Sequence, residues 1–283
     1  MPNLLFLPFE ERSATSFGLR RLPARRRRAV TAAPGRRAPP LAALLALAAL
    51  LGAAAPARAA PHRREVEGIP AAVLLDGDRT EIRWTDGDSF HVDSGPLRGL
   101  GVRLVGYDAL ETYGPVHRIG TLPAAALEAI ARASAPRLAR ATWSCRTTGR
   151  RDLYGRPLVD CPGAALALVG EGFAVVLARG RPADPALLSA QRDAQARRLG
   201  IWAGGVPPLV ITSLHSPGED GRPGPAHDQL ADTRTGRVRP RTHDRSYREC
   251  EEVCVGAGAE ASCMIYVPFH HRYRDRPGCL GAP

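Results

Sequence analysis

The chain has 283 residues, enough for one substantial hydrophobic core with appendages, and its formal net charge is +11. Residues 1–60 hold ten arginines and two acidic residues, so this segment carries +8 of the excess and the rest of the chain only +3. The sequence contains no lysine. This uneven distribution excludes net charge as evidence that the folded part binds nucleic acid.

Residues 1–60 have the features of a targeting segment. A basic region with arginines at 25–28 and 36–37 precedes an uncharged apolar run at 41–55, and Ala-Arg-Ala at 57–59 is a small-x-small cleavage site. The apolar run is shorter than the about 20 residues that span a membrane. We therefore expect a cleaved signal peptide, a secreted or periplasmic protein and no stable membrane insertion after processing. An uncleaved anchor is the alternative.

Strand-like segments separated by turn residues follow this leader. Asp-Gly-Asp at 76–78 predicts a hairpin turn between strands at 72–75 and 80–84, and further strands are predicted at 89–92 and 102–107. The remaining elements are predicted as a helix at 123–135, hairpin strands at 141–146 and 157–161, and helices at 164–171 and 186–199.

Acidic side chains and arginines recur around these strands. Asp88 and Asp108 offer hard oxygen ligands to a divalent cation, and Arg103 can bind a phosphate through two N–H groups. Glu111 lies three residues past Asp108, close enough to act on a water near that cation, and Arg156 supplies a second basic group. These are the parts that hydrolysis of a phosphodiester needs. The alternative is that the aspartates cap turns and the arginines are solvated.

The order and spacing of Asp88, Arg103, Asp108, Glu111 and Arg156 resemble those of the thermonuclease (staphylococcal nuclease-like) family. The run at 194–202, which ends in Trp202, is similar to the last helix of that family and its closing tryptophan. The resemblance covers residues 72–203. It implies an α+β fold, a five-stranded OB-fold β-barrel with packed helices, which propensity alone does not select.

The resemblance also implies a role for each motif residue. Asp88, Asp108 and the backbone carbonyl of Ala109 would bind calcium, and Glu111 would act as general base or position the attacking water. Arg103 and Arg156 would bind the phosphate and stabilise its transition-state charge, while Tyr154 would contact the substrate phosphate. Tyr154 could equally be an aromatic residue that stabilises its hairpin.

Two positions depart from the family pattern. Leu110 stands where the family usually has a proline before the glutamate, which leaves the backbone at Glu111 freer. The stretch 174–178 has no tyrosine, although the staphylococcal protein has a substrate-contacting tyrosine there. Stacking of a base on an aromatic ring contributes about 1–3 kcal/mol. We therefore expect altered affinity or product length with unchanged chemistry.

The chain after Trp202 changes in composition. Residues 204–247 are rich in Gly and Pro, apart from one strand-like run at 209–214, and predict a linker or a loosely ordered extension. Residues 248–283 form a Cys-rich tail module that ends in an aromatic, arginine-rich run at 266–276. The predicted organisation is therefore a targeting segment at 1–60, a nuclease-like domain at 72–203, a linker and a tail.

Six cysteines in an exported chain favour disulfides. Cys145 and Cys161 lie in the two strands of the predicted hairpin and could face each other across it; two buried free thiols are the alternative. Four more cysteines flank His270 and His271, but their spacing does not follow a zinc-finger pattern, so two disulfides with three possible pairings are favoured. These four are Cys250, Cys254, Cys263 and Cys279.

These features together predict an exported, monomeric, calcium-dependent endonuclease that hydrolyses DNA, RNA or both. The main rival is a catalytically silent nuclease-like OB module that binds nucleic acid or a protein partner. A third interpretation makes the tail a cell-surface binding module. The complete set of five motif residues favours the enzyme, because a module that does not cut has no chemical need for all of them.

Overall fold

The computed structural model describes residues 68–112, 117–219, 221, 223–272 and 277–280, so the predicted targeting segment lies outside the described residues. The strands are β1 Ile69–Leu75, β2 Asp78–Trp84, β3 Ser89–Val92, β4 Gly101–Leu104, β5 Gly106–Ala109, β6 His117–Ile119, β7 Trp143–Arg151, β8 Pro157–Asp160, β9 Ala174–Leu177, β10 Leu209–Ser213, β11 Ala226–Asp232, β12 Val238–His243, β13 Glu252–Val255 and β14 Ser262–Ile265. The helices are α1 Ala124–Leu138, α2 Pro162–Gly170, α3 Pro185–Ala196 and α4 Phe269–Arg272.

Six strands close into a barrel in the order β1-β2-β3-β4-β8-β7. The α+β class is confirmed and the closed barrel is compatible with an OB-like fold, but the predicted number of five strands is wrong. All six barrel strands overlap segments that the sequence predicts as strands. The count exceeds the five that the resemblance implies because β1, which forms a hairpin with β2, also pairs in parallel with β7. Val73 of β1 lies opposite Thr80 on one side and Trp143 on the other.

Local backbone conformation explains two features of the barrel. Asp76 and Gly77 have φ values of 53° and 97°, the left-handed pair that a tight hairpin turn needs, so the predicted turn between β1 and β2 is confirmed. The strand predicted at 102–107 instead splits in two, because Gly106 has a φ of 94°. After this turn β5 leaves the barrel and pairs with β9.

The predicted helices are confirmed and cover the barrel with apolar faces. Leu127, Ala131 and Leu138 of α1 are buried, as are Leu187 and Ala194 of α3. Because β9 buries all four of its side chains, periodicity gives little indication of which of its faces packs inward. No helix among the described residues has both the length and the apolarity to cross a membrane.

The region after Trp202 is the largest difference from the sequence prediction. Strands β10, β11 and β12 form an antiparallel sheet. The strand-like run predicted at 209–214 corresponds to β10, whereas β11 and β12 lie where a linker or loosely ordered extension was predicted. The glycines and prolines near 218–225 belong to the connection between β10 and β11. The tail contacts the nuclease-like region, because β14 pairs with β6.

All six cysteines form disulfides. The predicted bridge between Cys145 and Cys161 is confirmed, with both residues buried and paired across β7 and β8. The tail bridges are Cys250–Cys279 and Cys254–Cys263, which excludes a zinc site made of these thiolates. Three disulfides are consistent with an oxidising, extracytoplasmic location.

Candidate active site

The turn between β2 and β3 carries two of the acidic residues. Asp86 closes this turn by accepting the backbone N–H of Asp88 on Oδ1 at 3.0 Å. Gly87 between them has no room for a side chain, because an added Cβ would lie 2.6 Å from the Cβ of Ala109 and 2.8 Å from that of Ser134. The turn therefore lies directly against β5 and α1, and this contact places Asp88 at the end of β5.

Asp88 is buried, 2% exposed, and its carboxylate accepts three hydrogen bonds. Oδ1 accepts from Arg103 Nη1 at 2.6 Å and from Ser89 Oγ at 3.0 Å, while Oδ2 accepts the backbone N–H of Ala109 at 2.9 Å. Tyr107 adds a fourth constraint nearby, since its buried hydroxyl donates to the carbonyl of Gly87 at 2.8 Å. The position of this carboxylate is therefore fixed by β3, β4 and β5 together.

Arg103 joins the two predicted metal-binding aspartates. It lies in β4, and its Nη1 and Nη2 donate to Asp88 and Asp108 respectively. Asp108 can reach it because the turn at Gly106 directs β5 across the end of the barrel. The side chain of Arg103 is 19% exposed, so it is largely shielded from solvent.

The cluster around Arg103 contains more acidic side chains than basic ones. Burial and the neighbouring Asp88 raise the pKa of Asp108 to about 7 against the attraction of Arg103. Burial and Asp88 likewise raise the pKa values of Asp86 and Glu111. Burial opposes the charged form of Arg103, but Asp88 and Asp108 outweigh that effect and raise its pKa. Four carboxyl groups thus surround one guanidinium, an arrangement that marks functional sites more often than structural ones.

Glu111 follows β5 directly, and the electrostatic effects on its pKa include both Arg103 and Arg156. Leu110, the departure from proline, is 6% exposed and packs in an apolar cluster with Leu127 of α1. Packing of this leucine therefore constrains the backbone before Glu111, in place of the rigidity that a proline ring supplies.

The loop between β7 and β8 carries Tyr154 and Arg156. Asp152 organises this loop by accepting the backbone N–H groups of Tyr154 and Arg156 at 2.9 Å each, and it pairs with Arg156 Nε at 2.6 Å. β8 runs parallel to β4, with Leu158 opposite Arg103, so Arg156 is two residues from that register position. Tyr154 is 60% exposed and does not contact the acidic cluster directly; its ring stacks on Phe269 of α4.

The donor set of this cluster suits a hard divalent cation. Carboxylate and carbonyl oxygens are the ligands that calcium prefers, and a cation would offset the mutual repulsion that raises the carboxyl pKa values. Asp88, Asp108 and the Ala109 carbonyl would hold it. Among described residues, the group with three ligand atoms within 4.8 Å of one another is Glu252, Cys254 and Cys263, whose sulfurs are disulfide-bonded. The acidic cluster would thus need water to complete a calcium shell.

Several residues of this region were missed at the level of sequence. Asp86 is two residues from Asp88 and Asp152 is four residues from Arg156, but only their contacts reveal what they do. Arg179 follows β9, and its charge opposes the rise in the pKa of Asp108. Phe269 and Arg272 come from the tail, and the aromatic, arginine-rich composition at 266–276 was their one signal.

A scan against protein-family models and a search of curated proteins both find no match to this chain. The thermonuclease resemblance is therefore carried by the five motif residues and their spacing. The structure brings Asp88, Arg103 and Asp108 into direct contact, and Glu111 and Arg156 into electrostatic range of one another.

Proposed function

We propose that this protein is an exported, calcium-dependent nuclease that hydrolyses phosphodiester bonds in DNA, RNA or both. The observation that carries the proposal is the cluster in which Arg103 bridges Asp88 and Asp108 while Glu111 and Arg156 lie near it. Cation ligands, a general base and two guanidinium groups at one end of a barrel are the components of a phosphodiester hydrolase.

The two arginines would bind the scissile phosphate. A guanidinium has five N–H donors, of which Arg103 gives Nη1 to Asp88 and Nη2 to Asp108. Its remaining N–H bonds can be given to a phosphate oxygen. Arg156, held on Asp152 and 36% exposed, can contact the same phosphate from the β7–β8 loop. Fixed donors of this kind stabilise the charge that grows on the phosphate oxygens in the transition state.

Glu111 would take the proton of the attacking water. The water oxygen forms a bond to phosphorus, the bond from phosphorus to the 5′ oxygen breaks in line with it, and the leaving oxygen takes a proton from solvent. A carboxylate with a raised pKa is a stronger base than an ordinary one, which suits this role near neutral pH. Calcium, when bound by Asp88, Asp108 and Ala109, would supply Lewis-acid stabilisation of the phosphate charge.

The purified chain should therefore cut single-stranded DNA or RNA when calcium is present and stop when a chelator is added. Glu111→Gln and Arg103→Ala should each abolish most of this activity. Binding of both nucleic acids without cutting would instead favour the silent OB module. Neither binding nor cutting of either polymer would exclude the nuclease and leave only a silent module that binds a protein partner.

A further inference from the structure

The disulfides of the chain differ in how far solvent can reach them. Cys145 and Cys161 are both buried, 2% and 1% exposed. Cys254 of β13 is exposed, whereas its partner Cys263 of β14 is buried. A thiolate attacks a disulfide only where it can reach a sulfur atom. Of these two bridges, Cys254–Cys263 is therefore the one that a thiol in solution can attack, and the attack would come at Cys254.

A guanidinium lies against both sulfurs of this exposed bridge. Arg118 Nη2 lies 3.0 Å from Cys263 Sγ and 3.7 Å from Cys254 Sγ. Glu252 holds the guanidinium there, because its two carboxylate oxygens accept from Nε and Nη2 of Arg118 at 2.9 Å each. A neighbouring guanidinium favours the thiolate form of cysteine, and a more stable thiolate leaves faster from a disulfide. The closer contact is to Cys263, the sulfur that would leave on attack at Cys254.

The third disulfide offers a comparison within the same chain. Cys250 is exposed and Cys279 is half-buried. No guanidinium among the described residues lies within hydrogen-bond distance of either of their sulfurs. This bridge therefore has the accessibility of Cys254–Cys263 without the adjacent cation.

Cys254 also forms part of the wall of a surface cavity of about 290 Å³. Glu252 and Cys254 are two residues apart in β13, so their side chains share one face of the strand, and both residues line the cavity. Arg241 and Arg245 line it from the other side of the sheet edge. Glu252 is already paired with Arg118, so the charges in the wall that lack an opposite partner within it are the two arginines.

These two arginines keep N–H groups available for a ligand. Arg241 donates to Asp228 through Nε and Nη2, and Arg245 donates to Glu251 through Nη2. The Nη1 group of each arginine has no hydrogen-bond partner among the described residues. Guanidinium N–H groups bind carboxylates well, and a cavity of this size admits a small molecule. The ligand that fits is therefore small and carries carboxylates.

We propose that Cys254–Cys263 is a reactive disulfide that exchanges with a small, carboxylate-bearing thiol bound in this cavity. The thiolate of the ligand attacks Cys254 Sγ, a new S–S bond forms there, the bond to Cys263 breaks, and Cys263 leaves as a thiolate beside Arg118. The ligand sulfur is oxidised and the Cys263 sulfur is reduced, so no other oxidant or reductant takes part. Attack of the Cys263 thiolate on the mixed disulfide reverses the step.

The hairpin that carries the bridge is held by more than its disulfide. Val253 and Met264 are buried opposite each other in β13 and β14, and β14 also pairs with β6. Exchange at Cys254 can therefore take place on the folded protein, and the two cysteines stay close enough to re-form their bond.

The test uses the full chain with its disulfides formed and reduced glutathione, a thiol that carries carboxylates, as the probe. After timed exposure the reaction is quenched with acid, the protein is unfolded, free thiols are alkylated and peptide mass spectrometry locates each product. Glutathione should appear on Cys254, with a free thiol at Cys263, about 10-fold faster than at Cys250–Cys279, because a hydrogen bond to a charged group is worth about that factor. The bridge across β7 and β8 should stay intact.

Arg118→Gln should slow this exchange about 10-fold, and to the same extent with cysteamine as with glutathione, because both reactions expel the same Cys263 thiolate. Arg118→Lys should recover much of the rate, because it keeps the charge. Arg132→Gln is the control and should exchange like the wild type, since Arg132 of α1 is about as exposed as Arg118 and also pairs with a glutamate. Protection of the β7–β8 bridge in every variant reports that the barrel remains folded.

Arg245→Ala should slow exchange with glutathione about 2- to 5-fold, the effect of one exposed charge pair. It should not slow exchange with cysteamine, which carries an ammonium group and no carboxylate, when the two thiols are compared at equal thiolate concentration. Arg239→Ala, at a similarly exposed arginine of β12 outside the cavity wall, should change neither rate.

Each part of the inference can be overturned by these rates. Exchange at Cys254–Cys263 that is no faster than at Cys250–Cys279 would overturn the reactive site, and a rate that Arg118→Gln leaves unchanged would overturn the role of the guanidinium. An Arg245→Ala variant that slows both thiols equally, or neither, would overturn the cavity as the carboxylate site. Cleavage of nucleic acid enters none of these measurements, so the proposed nuclease stands or falls separately.

Discussion

Asp108 at the end of the barrel and Asp228 in β11 are both buried beside an arginine. Their pKa values shift in opposite directions. Asp228 accepts from Tyr247 Oη at 2.6 Å, from Arg241 Nη2 at 2.7 Å and from the backbone N–H of His215 at 3.1 Å. Burial alone would raise its pKa, but the hydrogen bonds from Tyr247 and Arg241 outweigh it and lower the pKa. Asp108 shares one arginine with other carboxylates, and its pKa rises to about 7.

The two carboxylates differ in how many hydrogen-bond donors each has for itself. Around Asp228 there are several donors for one acceptor, so the network is satisfied and stabilises the fold. Around Arg103 there are four carboxyl groups for one guanidinium, so the fold carries an electrostatic cost that a bound cation would remove. Proteins retain such costs at sites selected for activity.

The largest expected effect is on catalysis. Glu111→Gln should reduce kcat by about 100- to 10,000-fold and Arg103→Ala by about 100- to 1000-fold, because a general base and a preorganised donor are lost. Steady-state cleavage of single-stranded DNA in calcium measures both. Asp228→Asn should leave kcat per folded molecule unchanged. Near-wild-type turnover of Glu111→Gln together with an inactive Arg103→Ala would remove the base role and keep the nuclease.

Removing an acidic side chain should change the free energy of unfolding in opposite directions at the two aspartate clusters. Asp228→Ala should lower the free energy of unfolding by about 1–3 kcal/mol, because it leaves the buried hydroxyl of Tyr247 and the half-buried guanidinium of Arg241 without their acceptor. Asp86→Asn keeps the oxygen that accepts from Asp88 and removes one charge, so it should raise the free energy of unfolding by about 0.5–2 kcal/mol. Urea unfolding in chelator measures both. A loss of stability on Asp86→Asn would contradict the crowding described here.

The stability of the protein at acid pH should also depend on a buried histidine that belongs to neither aspartate cluster. His117 of β6 is 5% exposed, and neither ring nitrogen has a hydrogen-bond partner among the described residues. Burial lowers its pKa to about 4 from an ordinary 6.5. The neutral form therefore stabilises the fold fully above pH 6.5, and about 3 kcal/mol is lost as the pH falls to 4.

His117→Leu should remove this loss, as measured by urea unfolding at a series of pH values. His227→Leu, at an exposed histidine of β11, should keep it. If His117→Leu leaves the acid sensitivity between pH 6.5 and 4 intact, other groups are responsible for it.

Calcium should stabilise the folded protein by binding to the acidic cluster at the end of the barrel. Asp228 should not contribute to this stabilisation. At about 100 times its Kd, a ligand that binds only the folded protein adds about 2.7 kcal/mol, which for this size raises Tm by about 5–10 °C. Asp108→Asn should lose most of this shift in a thermal scan, and Asp193→Asn in α3 should keep it. A shift that Asp108→Asn retains would place the calcium elsewhere.

The candidate site residues could be recognised from sequence because their types and spacing match a family pattern. Asp-Gly-Asp alone does not identify them, since the copy at 76–78 forms a hairpin turn and the copy at 86–88 is distinguished by the arginine, aspartate and glutamate that follow it. Contact partners were not accessible in the same way. That Arg103 bridges Asp88 and Asp108 follows from the turn at Gly106, whose φ of 94° sends β5 across the barrel end.

The sheet after Trp202 is not predicted from sequence because its turn residues resemble those of a linker. Gly218 and the glycines and prolines that follow it indicate a loose connection. Buried and exposed side chains alternate too weakly along β11 and β12 to predict strands. The pairing of β14 with β6 joins residues far apart in the chain, and no local pattern encodes such a contact.

From the sequence alone, local patterns predicted the strand segments of the barrel, the hairpins, the three main helices and two cysteines, at 145 and 161, that could face each other. The family resemblance supplied the α+β class and the roles of the candidate site residues. Periodicity, turn chemistry and residue type are local, so they can be recognised without the fold. Only the tertiary structure decided the closure of the barrel through β1 and β7, the tail disulfides, the partners of Arg103 and the stacking of Phe269 on Tyr154. Each of these depends on strand pairing or packing between distant segments, whose energy appears only when the whole chain is assembled.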